Sequence, residues 1–100
     1  MDGLTEGRIV HYVMPNGEHR PAIVIRVWRT PDGDSPESGM SNLQLFTDDS
    51  NDSGWTQKER QDLVNGGFNP DEVLHGHVWK TSVLHSEGKE PHTWHWIEKA

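Results

Sequence analysis

Arg8-Ile9-Val10-His11-Tyr12-Val13-Met14 runs into Pro15-Asn16-Gly17, and a few residues later the chain reads Ala22-Ile23-Val24-Ile25-Arg26-Val27-Trp28. The first stretch is β-branched and aromatic, which favours a pleated strand over a helix. Asn-Gly is a strong short-range signal for a hairpin, because both residues tolerate positive φ. The second stretch is a near-continuous apolar run of strand length. That pattern predicts a central strand covered on both faces, with Pro21 marking its start. These two segments set the fold class as β.

Working outward, Asn42-Leu43-Gln44-Leu45-Phe46-Thr47 alternates enough for a third strand. Residues 78–84 (Val78-Trp79-Lys80-Thr81-Ser82-Val83-Leu84) and 93–97 (Thr93-Trp94-His95-Trp96-Ile97) read as a fourth and fifth. Between the third and fourth, Thr56-Gln57-Lys58-Glu59 has capping-box spacing, Leu63 and Val64 give a small apolar face, and Asn65-Gly66-Gly67 supplies a stop. The spacing therefore predicts strands near 8–14, 22–28, 42–47, 78–84 and 93–97, with one helix near 57–65. Five short strands and a short inserted helix fit a small SH3-like or OB-like barrel, with residues 1–100 as one domain.

Composition agrees with a single core. The chain has 100 residues and is 31% apolar, and five Trp, Tyr12, Phe46 and Phe68 could supply much of the interior. A core this lean favours self-association, and a homo-oligomer is expected. There is no Cys, which excludes disulfides, thiolate metal sites and cysteine nucleophiles. No apolar run approaches the ~18–20 residues that span a bilayer, and the opening residues lack a signal-peptide pattern, so no membrane partner is expected.

The formal charge is −7, which makes duplex DNA an improbable partner. The acids concentrate between residues 31 and 75, in Pro31–Gly39 and Asp48–Gly54, and both stretches read as solvated loops. The second lacks the spacing of a twelve-residue calcium loop.

Four blocks, Gly7-Arg8-Ile9-Val10-His11-Tyr12-Val13, Pro21-Ala22-Ile23-Val24-Ile25-Arg26-Val27-Trp28, Trp79-Lys80-Thr81-Ser82-Val83 and Thr93-Trp94-His95-Trp96, resemble in order and approximate spacing a family of small tailed-bacteriophage proteins of unknown function. Residues 53–76 and Ile97 depart from that pattern. The resemblance implies a phage-encoded protein in the cytoplasm of an infected bacterium. It brings no catalytic residue, cofactor or substrate.

The residues themselves give no enzymatic signature. Ser82 has no nucleophile elbow, no carboxylate pair is singled out, and no phosphate loop is present. Histidines 75, 77, 85, 92 and 95 invite a metal reading, but their spacing matches no ligand signature, and neither a metal nor another cofactor is assigned. What remains is a mixture of rings and cations on strands. Arg8, Arg20, Arg26 and Lys80 are candidate anion contacts, Trp79, Trp94 and Trp96 candidate stacking surfaces, and His95 a polar contact. The expectation is a non-enzymatic accessory protein that binds a small anionic ligand, best a nucleotide signal sequestered to counter host defence. A virion component or an acidic inhibitor of a host enzyme is the alternative.

Overall fold

The computed structural model describes residues 1–74 and 76–98. It contains β1 (Ile9–Val13), β2 (His19–Val27), β3 (Ser41–Phe46), α1 (Asp49–Asn65), a 3-10 turn (Pro70–Glu72), β4 (Val73–Leu74), β5 (His77–Val83) and β6 (Trp94–His95). The strands form one antiparallel sheet in the order β4-β5-β3-β2-β1-β6. Among the described residues no helix is long and apolar enough to cross a membrane.

The expected SH3-like or OB-like barrel gives way to an open six-stranded sheet. Among the described residues the segment after β5 meets β6 at one isolated parallel bridge, His85 to Trp94, where Trp94 N–H bonds Leu84 C=O at 2.9 Å and Ser86 N–H bonds Trp94 C=O at 2.9 Å. The physical reason is local. β5 ends where Ser82 takes a positive φ of 57°, and β6 is only two residues long, so no ladder can extend across the gap. The fifth expected strand, 93–97, thus shrinks to Trp94–His95, while the two-residue β4 adds an edge the sequence pattern did not show.

β2 begins at His19, before Pro21. The proline is tolerated inside the strand because pairing with β3 starts only at Ala22–Leu45, which leaves Pro21 on an unpaired flank. The run is also not covered on both faces. A register shift between Val24 and Arg26 places Ile25 and Arg26 side by side in solvent, as a bulge does.

The helix is 17 residues long and starts eight positions before the expected residue 57. Asp48 caps it, its carboxylate accepting from Ser50 N–H at 3.1 Å. Asp49 and Asp52 in the first turn favour the positive end of the helix dipole. The acidic stretch read as a loop is therefore the start of the helix. Thr56, expected as a cap, lies inside it and bonds back to Ser53 C=O. One face of the sheet, with Val10, Tyr12, Val24, Leu43, Leu45, Val78 and Trp94, packs against Leu4, Val73 and the helix residues Trp55 and Leu63. The opposite face of the sheet carries the polar constellation described next.

Candidate metal centre

Alternation along β1 sends Val10 and Tyr12 into the core and His11 to the outer face. β6 lies antiparallel beside it, so His95 stands opposite His11 and Trp94 opposite Tyr12. On the other flank the hairpin register sets His19 opposite Val13, two residues along from His11 and on the same face. Three adjacent strands thereby deliver three imidazoles to one spot. Ring centroids are 5.8 Å apart for His11–His19, 5.7 Å for His11–His95 and 4.5 Å for His19–His95.

Glu98 reaches into the middle. His11 Nδ1 lies 2.9 Å from Glu98 Oε2, and His19 Nδ1 lies 3.0 Å from Oε1. His95 Nε2 touches the same oxygen, and Lys89 Nζ approaches it to 3.3 Å. Despite this crowding, Glu98 Oε1 and both ring nitrogens of His95 are buried without an aligned hydrogen-bond partner. Buried polar atoms left in that condition are costly unless something satisfies them.

The electrostatics suit a cation. Burial pushes the His95 pKa down against the pull of Glu98, which favours the neutral imidazole with a free lone pair. At Glu98 burial pushes upward, but its own backbone N–H and the contacts with His11, Lys89 and His95 hold the carboxyl down at about 2. One ligand atom from each of the four side chains lies within 4.8 Å of all the others. A tetrahedral first-row ion with bonds of about 2.0–2.2 Å asks for closer spacing, which side-chain rotation of the partly exposed His11, His19 and Glu98 can provide.

The residues expected to form an anion site do not assemble into one. Arg20 grips Asp52 through Nε at 2.7 Å and Nη2 at 2.9 Å and pairs with Glu18, so it is a structural clamp from β2 to α1. Lys80 pairs with Glu59 at 3.4 Å and stands 5.3 Å over Trp55, facing the helix. Arg26 lies 4.5 Å over Trp28, and Arg8 lies 5.1 Å over Trp96. Trp94 is fully buried, with its indole N–H donating to Gly39 C=O at 2.8 Å, and Trp96 packs edge-on against it at 4.9 Å. Trp79 sits on the outer face at the β3–β5 side, opposite Gln44. Only Arg8, Trp94, His95 and Trp96 are neighbours, and of these His95 alone belongs to the polar cluster.

Among the other histidines weighed from sequence, His75 lies outside the described residues. His77 packs against Phe46, His85 against Trp94, and His92 bonds the Tyr12 hydroxyl at 2.8 Å. His11 and His19, the two members of this cluster that sequence reasoning passed over, did leave a signal. They flank the Asn-Gly turn, and a hairpin register with Val13 opposite His19 puts both on one face. The fold and site together define a small antiparallel-sheet protein with a three-histidine, one-carboxylate centre. No family model, curated protein or solved structure matches this chain.

Proposed function

We propose that this protein is a non-enzymatic binding module whose ligand is a first-row transition ion such as Zn2+, held by His11, His19, His95 and Glu98. The observation that carries the reading is the gathering of His11, His19 and His95 around the Glu98 carboxylate, with one ligand atom of each of the four within 4.8 Å of the others and the His95 ring nitrogens buried without an aligned hydrogen bond. Imidazole nitrogens with one carboxylate suit Zn2+, Cu2+, Ni2+ or Co2+, and disfavour Ca2+ and Mg2+, which take all-oxygen shells. Four protein donors complete a tetrahedron and leave no position for an activated water, which supports binding over catalysis. The single bridge joining the sheet's ends supports an SH3-like scaffold with a loosened closure. The resemblance to small phage proteins supports a setting inside an infected bacterium.

The test is titration calorimetry of chelator-stripped protein with Zn2+, Ni2+ and Ca2+. One Zn2+ per chain is expected, lost in His19→Ala and weakened in Glu98→Gln, with no heat from Ca2+. Stoichiometry unchanged by both substitutions overturns the reading.

A further inference from the structure

A second constellation lies on the same face, at the opposite side of the sheet. The β3–β5 register sets Phe46 opposite His77 and Gln44 opposite Trp79, so three rings share the outer surface. Phe46 and His77 meet at 5.2 Å, tilted by 67°. β4 brings Leu74 beside His77, and its side chain is 50% exposed despite its size. Above them the 3-10 turn is fixed at both ends. Asn69 Oδ1 accepts from Asp71 N–H at 2.9 Å, and the Arg60 guanidinium donates to Pro70 C=O at 3.0 Å and to Val73 C=O beyond the turn. That turn sets Asp71 and Glu72 on the rim of an open hollow of about 410 Å³ lined by these side chains.

The rim charges are uncompensated. Among the described residues neither the Asp71 nor the Glu72 carboxylate has an ion-pair partner. Arg60, which reaches this turn, is committed to the Pro70 and Val73 carbonyls, and Lys80 is committed to Glu59. Trp79, expected from sequence to stack on an anion, therefore faces two free carboxylates, and the sign of its ligand inverts.

We infer that this hollow binds an alkylated ammonium group. Ring faces carry negative charge density and attract cations, and the attraction grows as the cation is desolvated. A bare ammonium or a small metal ion surrenders too much hydration to enter an apolar hollow. A trimethylammonium group spreads its charge over methyls that can contact Leu74, Phe46 and Trp79, while Asp71 and Glu72 offset it from the rim. The acidic surface of this segment draws such a ligand in. The same group occurs on free choline and on trimethylated lysine side chains, and the hollow reads what the two share.

The test follows the indole N–H signal of Trp79 in nitrogen-15 spectra, assigned by its loss in Trp79→Phe. Choline is titrated against 3,3-dimethylbutan-1-ol, its neutral isostere, and against guanidinium, with a trimethyllysine peptide as a further arm. A saturable shift with choline or the peptide, absent with the isostere, is expected, and the tighter of the two identifies the source. Glu72→Gln, on the exposed rim, should weaken binding about fivefold without disturbing other amide signals. Equal shifts with the neutral isostere, saturation at lower concentration by guanidinium, or no shift with choline and the peptide overturns the inference. None of these results depends on the histidine centre.

Discussion

His95 stands opposite His11 across the β6–β1 pairing with ring centroids 5.7 Å apart, and the Glu98 carboxylate contacts both. The pairing matters because β6 is a two-residue strand paired to β1 at two positions, so an ion shared by β1, β2, β6 and the segment after it would tie this short strand more firmly to the sheet. A ligand at ~100 times its dissociation constant adds about 2.7 kcal/mol to a native state that alone binds it. For a domain of this size that is a rise of roughly 10 °C or more in Tm. Zn2+ should raise the thermal midpoint and a chelator should reverse it. His19→Ala, whose side chain is 31% exposed and outside the apolar core, should abolish the rise while the chelated midpoint stays near the parent's.

Lys89 is expected to weaken the site it touches. Its ammonium lies 3.3 Å from Glu98 Oε1, so a divalent ion must share that oxygen with a positive charge. Repulsion over a few ångströms in a largely solvated setting, reduced by salt, corresponds to roughly threefold to tenfold in affinity. Lys89→Met should therefore tighten Zn2+ binding by that factor in calorimetry. Weaker binding in the variant would mean that Lys89 orients Glu98 for the ion instead.

The hairpin, the central strand and the helix stop at Asn65 were all legible, because each rests on local chemistry: β-branched runs, an Asn-Gly turn, a Gly pair. The start of α1 was not. Asp48-Asp49-Ser50-Asn51-Asp52-Ser53-Gly54 has poor helix propensity, and its helicity comes from the Asp48 cap and from Arg20, which is 28 residues before it and reaches Asp52. The histidine centre was hidden for a related reason. His11 and His19 are linked by a readable hairpin, but nothing in the sequence says that β6 returns beside β1 rather than at the other edge, and without that His95 and Glu98 are remote from both.

The Arg20–Asp52 clamp should make stability depend on acid. Asp52 is 3% exposed, and the Arg20 hydrogen bond, opposed by burial and aided by Asp48 N–H, holds its carboxyl below the ordinary aspartate value of 3.8. A carboxyl depressed in the folded state contributes fully above the unfolded value and loses that contribution as pH falls through the folded one. Asp52→Asn leaves Arg20 without its main partner and should cost about 3 kcal/mol at pH 7 in urea denaturation. The gap between variant and parent should close below pH 3.8, and a gap that is constant across that range would show that the clamp is not electrostatic.

Trp94 and Trp79 should separate core from surface. Trp94 is fully buried and donates to Gly39 C=O, while Gly39 holds a φ of +69° in a space where an added Cβ would lie 2.5 Å from His85 Cβ and 2.8 Å from Trp94 Cζ2. The two residues therefore form one packed joint at the bridge that links the ends of the sheet. Trp94→Ala removes a large buried ring and should cost about 3–5 kcal/mol, a major part of the roughly 5–15 kcal/mol available to a small domain. Gly39→Ala combines backbone strain with a clash against side chains that have no free direction to move, and should cost about 2 kcal/mol or more. Trp79→Ala, at a partly exposed position on the outer face, should cost about 1 kcal/mol. Urea midpoints in the order Trp79→Ala, Gly39→Ala, Trp94→Ala from most to least stable are expected. A Trp79 variant as unstable as the Trp94 variant would mean that the outer face is covered in solution, and the hollow beside Trp79 would then be part of an interface rather than an open site.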